Sequence, residues 1–427
     1  MKIHSLFFYI IYKNILYMAK KNLGATGSIF DIISSIDSGA EIIEQSATAV
    51  IKDWISTGSY VLNAAISGSM MRGIPTGRTV LLGGAPGAGK SFLALSICRE
   101  AQKKGYIPIY LDSEGAIDAT FVKRLGVDTS KFIIKQVNTI SECATFMKNI
   151  LDSMLNTPEE QRDKVIFVLD SVGNLTSDKE ADDIKNSNQK RDMTKQQELK
   201  ALFRVCTTPL AKTHTPFVAI SHVYQGMDMF GTTNIAGGQG LQYNSSVTLM
   251  LTTSKLDGND KENDKLAENN KAEITKTGVI VSAKAVKSRF TIPTKVKFYI
   301  PFFKKPNSYV GLDQFMTWEN SGIVRGKCYN EKEYSKLKSA EQTACYEFEY
   351  NGEKLYALPK DTARGVVVKH LGCEVPLTEL FTSKVMTDEW LEKFDNEVIK
   401  PSFELPDQSK FSDDFEEFTE DLIKDTI

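Results

Sequence analysis

The chain lacks the features of a secreted, zinc-stapled or membrane-spanning protein. Its six cysteines are scattered over 427 residues without a C-x-x-C pair. That pattern argues against a disulfide or zinc framework and favours reduced thiols in a cytosolic setting. An apolar stretch at residues 3–17 is interrupted by Lys13 and Asn14 and is too short to cross a bilayer. We therefore expect a cytoplasmic protein without a membrane partner.

The first residues also lack the marks of a targeting signal. No small-residue cleavage site follows the apolar stretch, so a signal peptide is poorly supported. Met18 opens a Met-Ala-Lys-Lys segment that is typical of a natural start. We interpret residues 1–17 as a dispensable extension or as a start placed too early.

The chain has little net charge, only −2, but the charge is unevenly distributed. Residues 401–427 contain nine Asp or Glu and two Lys, which contribute −7 and leave +5 for the rest of the chain. A mildly basic body with an acidic tail is typical of a protein that meets polyanions. A disordered tail that only aids solubility is the alternative.

The order of apolar and polar segments predicts an α/β core. Strands and helices alternate from about residue 51 to 304, the pattern of a mostly parallel, twisted sheet. A short helical segment at 1–50 precedes it, a small α+β domain at 305–400 follows, and the acidic tail at 401–427 is predicted to be disordered. Within the core the predicted strands are Ile107–Leu111, Phe132–Lys135, Val165–Leu169, Phe217–Ile220 and Ser246–Leu251, and the predicted helices are Lys90–Lys104, Thr139–Leu155 and Thr194–Ala211.

Three polar stretches interrupt this alternation: Ser177–Asp192, Val223–Gln239 and Asp257–Lys276. Loops of this length inside a compact α/β domain are usually functional or disordered. We interpret the third as a mobile hairpin extension. The apolar positions within 18–50 have helical spacing but are too few for a core of their own, so this helix must pack on this chain or on a neighbouring subunit.

Residues 84–91 form a complete G-x-x-x-x-G-K-[ST] phosphate-binding loop between an apolar strand and a helix. Its glycines allow backbone N–H groups to surround phosphates, its lysine reaches the β and γ oxygens, and its serine can ligate Mg²⁺. The motif therefore predicts bound ATP with Mg²⁺. The predicted contact residues are Gly84, Ala85, Pro86, Gly87, Ala88, Gly89, Lys90, Ser91 and Phe92.

Polar side chains follow the other core strands where catalytic groups are needed. Asp170 ends an apolar strand and is the predicted second metal ligand beside Ser91. Glu114 and Asp112 end another strand, and either of them is a candidate to activate the attacking water. His222 follows a fourth strand and precedes the second long loop, where a polar side chain can sense the γ-phosphate.

Together these segments resemble RecA-family recombinases, in particular the branch of T4-like bacteriophages. The resemblance covers residues 51–300 in consistent order. It rests on Ile55-Ser56-Thr57-Gly58-Ser59, residues 73–78, the phosphate-binding loop, Asp112-Ser113-Glu114, residues 121–128, residues 167–175, Met229-Phe230-Gly231 and Gly237-Gly238.

The resemblance implies roles that spacing alone leaves open. It implies that Glu114 is the catalytic carboxylate, assisted by Lys90 and His222, and that Asp118 and Phe121 lie near adenine. Lys287 and Arg289 resemble a cation pair that reaches the neighbouring subunit's γ-phosphate. Many bacterial relatives have glutamine where His222 stands, so we expect γ-phosphate sensing to differ in detail, with a pH dependence near neutrality.

The resemblance also makes the first two long loops the DNA-binding loops. Cations in and after the first loop suit a phosphate backbone, and an aromatic ring in the second can stack on bases without reading them. The predicted DNA-binding residues are Lys185, Lys190, Arg191, Lys195, Phe230, Gly237 and Gly238.

The implied function is a DNA-dependent ATPase that forms an open helical homo-oligomer on single-stranded DNA and pairs it with homologous duplex, independently of sequence. Phage recombination, repair and recombination-dependent replication would use it in the host cell cytoplasm. A recombination mediator and a single-strand-binding protein are further expected partners. The alternatives are a hexameric RecA-fold helicase and a RecA-fold regulatory ATPase with no role on DNA.

Overall fold

A computed structural model describes residues 48–185, 194–225, 233–253, 278–301 and 306–405, together with positions 29, 33, 43 and 46. The chain divides into two compact units, Met1–Lys52 and Asp53–Ile427. In the first unit, Ile29 and Ile33 are helical positions with exposed side chains. Most of the helix predicted within 18–50 lies outside the described residues.

The second unit is built on a large sheet in which six neighbouring strands run parallel. Its order is β11-β10-β9-β3-β7-β6-β4-β5, with β8 paired to β7. The strands β3 and β6 are buried along their whole length, as expected for apolar strands covered on both faces. The core strands are β1 (Trp54–Ile55), β2 (Ile74–Pro75), β3 (Thr79–Gly84), β4 (Ile107–Asp112), β5 (Ile133–Gln136), β6 (Val165–Asp170), β7 (Phe217–Gln225), β8 (Thr233–Ile235), β9 (Val247–Thr253), β10 (Gly278–Ser288) and β11 (Lys295–Pro301).

Helices cover this sheet and begin at polar caps. The Thr139 side chain, for example, accepts a hydrogen bond from the Glu142 N–H at 3.1 Å and starts the helix that follows. The core helices are α1 (Tyr60–Ser67), α2 (Lys90–Lys103), α3 (Ala119–Arg124), α4 (Ile140–Leu155), α5 (Asp178–Lys185), α6 (Lys195–Thr213) and α7 (Gln239–Asn244).

A smaller antiparallel sheet with the order β13-β14-β12-β15-β16 follows the large one. Its apolar side chains Val366 and Val368 join the same hydrophobic cluster as Leu62 and Phe298 of the core. The elements of this region are β12 (Ile323–Asn330), β13 (Tyr346–Tyr350), β14 (Glu353–Pro359), β15 (Gly365–Val368) and β16 (Cys373–Pro376), with α8 (Trp318–Ser321), α9 (Glu331–Tyr334), α10 (Ser339–Thr343), α11 (Asp388–Phe394), a π-helix (Asp395–Ile399) and α12 (Lys400–Phe403).

A buried carboxylate connects the C-terminal helices to the core by hydrogen bonds. Asp395 is 2% exposed. It accepts hydrogen bonds from the Ser69 hydroxyl at 2.6 Å and the Met70 N–H at 2.7 Å. Phe403 is also buried, and its carbonyl accepts the Ile292 N–H at 3.0 Å. Of residues 401–405 of the predicted tail, Phe403 is packed against the core, and the tail beyond Leu405 lies outside the described residues.

The predicted α/β class with its mostly parallel sheet is confirmed. The long polar stretches contain more regular structure than predicted. Eight residues of Ser177–Asp192 form α5. The Ser177 hydroxyl accepts a hydrogen bond from the Glu180 N–H and so caps the start of this helix. The stretch Val223–Gln239 is also partly regular, since β7 continues to Gln225 and pairs with β8. The Asp257–Lys276 stretch lies outside the described residues.

Candidate active site

The parallel strands bring the predicted polar residues to one edge of the sheet. Gly84 at the end of β3 is in register with His222 on β7, and Asp112 at the end of β4 is in register with Asp170 on β6. Since carboxyl ends of parallel strands meet at one edge, the ends of three other strands, β4, β6 and β7, lie beside the phosphate-binding loop there.

The phosphate-binding loop has the conformation that its glycines allow. Gly87 and Gly89 have φ angles of +75° and +80°. Both angles lie in the left-handed region that favours glycine, and a Cβ added to Gly89 would also displace the end of the Ile300 side chain, 2.2 Å away. Ala85, Pro86 and Gly87 are exposed, which leaves the loop open to a ligand.

Lys90 is buried beneath this loop. Its Nζ donates hydrogen bonds to the carbonyls of Gly84 at 2.9 Å and Ala85 at 2.8 Å. Burial lowers the Lys90 pKa, and the nearby carboxylates of Asp170 and Glu114 oppose that effect. Phosphate oxygens would supply the negative partner that these neutral carbonyls do not.

Ser91 and Asp170 are suited to hold Mg²⁺. The Ser91 hydroxyl hydrogen-bonds to the Asp170 carboxylate, and Tyr110 donates its phenolic hydrogen to Asp170 Oδ2 at 2.6 Å. Burial raises the Asp170 pKa despite these hydrogen bonds. Hydroxyl and carboxylate oxygens are the ligands that Mg²⁺ takes, usually together with water and substrate phosphates. The donor set therefore fits the predicted ion.

The two carboxylates after β4 have different surroundings. Asp112 is buried, and its Oδ1 accepts the backbone N–H groups of Glu114 at 3.0 Å and Gly115 at 2.8 Å. It therefore shapes the turn. Glu114 is partly exposed and projects from that turn toward β6 and β7. The geometry favours Glu114 over Asp112 as the group that meets water.

Glu114 is held by two neighbours through a single oxygen. Its Oε1 accepts a hydrogen bond from Ser171 Oγ at 2.6 Å and lies 2.9 Å from His222 Nε2. Burial raises the Glu114 pKa, but these two hydrogen bonds, together with the electrostatic effect of His222 and Lys90, outweigh it and hold the pKa below its ordinary value. The carboxylate is thus stabilised in the charged form that a general base requires. The Asp170–Ser171 peptide bond is cis.

The predicted adenine residues lie on α3. Asp118 caps this helix, with its Oδ2 accepting the Phe121 N–H at 2.7 Å. The Phe121 ring is 41% exposed and available for stacking. Their contact with adenine stays a prediction.

The predicted interface cations lie at the opposite edge of the sheet, where the parallel strands β3 and β9 begin. Lys287 pairs with Thr248 near the start of β9, and the Arg289 N–H donates to the Ser246 carbonyl. Lys287 Nζ donates to the carbonyls of Gln242, Tyr243 and Ser245 at 2.6–2.9 Å, at the C-terminal end of α7. Arg289 is exposed. The two cations are thus remote from the phosphate-binding loop of their own chain.

The DNA-binding prediction is only partly covered by the described residues. Lys190, Arg191 and Phe230 lie outside them, and for Lys185 only its position in α5 is described. Lys195 begins α6, and its Nζ lies 3.2 Å from the Gly173 carbonyl and 3.8 Å from Glu180.

Two predicted loop glycines precede α7. Gly237 and Gly238 have φ angles of +95° and +82°. These φ angles lie in the left-handed region that favours glycine, and a Cβ on Gly237 would in addition displace the end of the Leu241 side chain, 2.3 Å away.

Two residues of the site escaped sequence reasoning: Tyr110 and Ser171. Tyr110 stands two positions before Asp112. Because side chains at i and i+2 of a strand share a face, this spacing indicates that Tyr110 lies on the same side of the sheet as Asp112. Ser171 directly follows Asp170, but its contact with Glu114 joins residues 57 positions apart.

No helix among the described residues is long and apolar enough to cross a membrane. In the same part of the chain, no group of three or more His, Cys, Asp or Glu side chains is arranged to hold a metal ion. A Mg²⁺ site here would thus depend on Ser91, Asp170 and ligands from water and nucleotide.

Comparison with known proteins identifies similar sequences. Residues 33–295 match the RecA N-terminal domain family. The chain is 30% identical over 211 residues to the recombination and repair protein of Enterobacteria phage T4, covering 49% of this chain and 53% of that protein. It is 26% identical over 298 residues to the mitochondrial DNA repair protein recA homolog 3 of Arabidopsis thaliana, covering 67% and 62%. It is 27% identical over 300 residues to protein RecA of Nautilia profundicola, covering 66% and 78%.

Proposed function

Because the chain belongs to the RecA family, we propose that it is a DNA-dependent ATPase that assembles on single-stranded DNA and pairs it with homologous duplex. The matched segment spans little more than half of the phage T4 protein. The activity, the DNA substrates and the filament are therefore inferred from the site together with family membership.

The contact between Glu114 and His222 carries this proposal. Glu114 belongs to the nucleotide edge of the sheet, and His222 lies on β7, which continues into the hairpin with β8. Residues 226–232, between these two strands, belong to the second predicted DNA loop. A change in the Glu114–His222 contact is thus passed along one strand to that loop, which is the coupling that a DNA-dependent ATPase needs.

In hydrolysis, Glu114 would accept a proton from the water that attacks the γ-phosphorus, as the bond from that phosphorus to the β–γ bridging oxygen breaks. Lys90 would bind phosphate oxygens, and Ser91 with Asp170 would hold Mg²⁺. When bound, Mg²⁺ neutralises charge on the phosphates. The products are ADP and phosphate.

Lys287 and Arg289 support assembly in which one subunit completes its neighbour's site. They lie at the sheet edge opposite the phosphate-binding loop, so a head-to-tail contact brings the two edges together. Such a heterologous interface that does not close yields an open filament. Gly238 and Lys287 contact opposite ends of α7, which gives the second predicted DNA loop a direct connection to the interface.

The test is ATP hydrolysis with and without single-stranded DNA, combined with electron microscopy in a slowly hydrolysed ATP analogue. We expect stimulated turnover and open filaments. Closed hexameric rings would refute the filament and favour a helicase, and hydrolysis without DNA stimulation would favour a regulatory ATPase.

Matched variants test the assignment of the base. Glu114→Gln should retain ATP and DNA binding and lose about 10²- to 10⁴-fold in turnover, the usual contribution of a general base. Asp112→Asn keeps an oxygen that can accept the two N–H groups of the turn, so we expect a loss below about 10-fold. The reverse order of the two losses would make Asp112 the better assignment.

A further inference from the structure

Ser171 is a fully buried hydroxyl directed at Glu114. It lies immediately after β6, has no exposed surface, and donates to Glu114 Oε1 at 2.6 Å. A buried hydroxyl needs a partner, and a charged acceptor makes this bond stronger than one between neutral groups. The contact joins the ends of two neighbouring strands, β6 and β4.

The backbone of Ser171 is fixed by a second serine. The Ser171 N–H donates to Ser113 Oγ at 2.8 Å, and Ser113 Oγ donates to the Ser171 carbonyl at 2.7 Å. Ser113 directly precedes Glu114. These two hydrogen bonds therefore fix the backbone of Ser171 to the turn that carries the Glu114 carboxylate. Rotation of the buried Ser171 hydroxyl away from Glu114 would cost it this hydrogen bond.

This arrangement distinguishes the two oxygens of the carboxylate. Oε1 contacts both Ser171 and His222. Among the described residues, Oε2 has no hydrogen-bond partner. One oxygen is thus used for orientation, and the other remains available to accept a proton from water.

We infer that Ser171 is a positioning residue for hydrolysis, which fixes the Glu114 carboxylate so that Oε2 meets the attacking water. The inference rests on the proposed role of Glu114 as general base. His222 cannot replace Ser171 in this role, because a γ-phosphate sensor must be able to leave Glu114 when the site changes state. Ser171, by contrast, is fixed through its own backbone to Ser113, so it suits the holding role.

The test is a set of steady-state measurements on the full chain with Ser171→Ala. We expect kcat for DNA-stimulated ATP hydrolysis to fall about 10- to 100-fold, since small misplacements of a catalytic group have effects of this size. KM for ATP and the affinity for a fluorescent ADP analogue should stay unchanged. Ser67→Ala is the matched control, because Ser67 is a buried serine of α1, outside the site, whose hydroxyl is hydrogen-bonded to the backbone of Asn63 and Ser69.

A double variant shows whether Ser171 acts through Glu114. In the Glu114→Gln background, Ser171→Ala should cause no further loss of residual turnover. An equal further loss in that background, or a Ser171→Ala kcat within twofold of wild type, would overturn the inference. Near-normal turnover of Glu114→Gln alone would instead refute the proposed base, so the two failures are distinguishable.

Ser113→Ala tests the same inference if Ser171→Ala fails to fold. It removes the group that fixes the Ser171 backbone but keeps the Ser171 hydroxyl. We expect a smaller loss, again in kcat and without a change in KM. A loss confined to KM would contradict a positioning role.

Discussion

A mixing experiment tests whether each ATP site is shared between subunits. Lys90→Ala removes the cation of the phosphate-binding loop, and Arg289→Ala removes a cation at the opposite sheet edge. Arg289 is the better choice than Lys287, because Lys287 also binds three carbonyls at the end of α7 and its loss would destabilise that helix. Each variant alone should hydrolyse ATP at close to background rate.

The structure gives the separation that makes this test informative. The Arg289 N–H donates to the Ser246 carbonyl, and the Ser246 N–H donates to Thr79 at the start of β3. The phosphate-binding loop begins at the other end of β3, at Gly84. A strand rises by about 3.3 Å per residue, so the two levels are about 17 Å apart. That distance exceeds the length of an arginine side chain.

The magnitude follows from counting interfaces. In a 1:1 mixture that assembles randomly, one interface in four joins an intact phosphate-binding loop to an intact Arg289. We therefore expect about one quarter of the wild-type DNA-stimulated rate at equal total protein. The control mixture is Lys90→Ala with Glu114→Gln, whose defects both lie on the phosphate side and should not complement. A test mixture no more active than the average of its components would refute the shared site.

Three further outcomes are expected. Asp395→Ala leaves two buried donors without their acceptor and should lower the free energy of unfolding by about 2–4 kcal/mol in urea titrations, whereas the exposed Glu392→Gln should change it little. The acid limb of the kcat–pH profile should lie below the ordinary glutamate pKa, because the depressed Glu114 pKa keeps the base charged as pH falls, and Ser171→Ala should move that limb to higher pH; an unchanged limb would contradict the hydrogen-bond explanation. Truncation after Leu405 removes most of the acidic tail without the packed Phe403, and should strengthen binding to single-stranded DNA in filter assays, most at low salt; unchanged affinity would indicate a different role for the tail.

The sequence was informative wherever function requires consecutive residues. The phosphate-binding loop and the strands ending in carboxylates could be predicted because each is a local pattern with a physical reason. The choice between Asp112 and Glu114 could not be made from spacing. It depends on which side chain turns back to accept N–H groups, a property of the folded turn.

Contacts between strands were not accessible in the same way. Ser171 and Tyr110 gain their roles from neighbours on other strands. Spacing within β4 places Tyr110 on the same face as Asp112, but it does not show that Tyr110 reaches Asp170 or that Ser171 reaches Glu114. The helix α5 was missed for a different reason. It contains only two apolar residues, Ala181 and Ile184, which are too few to predict a helix, and its start depends on a Ser177 cap whose importance is visible only once the helix is formed.

The placement of nucleotide and cation groups at opposite sheet edges makes the two ends of any filament chemically unequal. One terminal subunit would present a phosphate-binding loop that no neighbour completes, and the other would present unused cations. A filament of n subunits would then contain n − 1 complete sites, so short filaments would hydrolyse disproportionately little ATP per subunit. Subunits would also be added and lost at different rates at the two ends, because only one terminal subunit would expose its bound nucleotide at a free interface. Directional assembly would thus follow from the sheet itself.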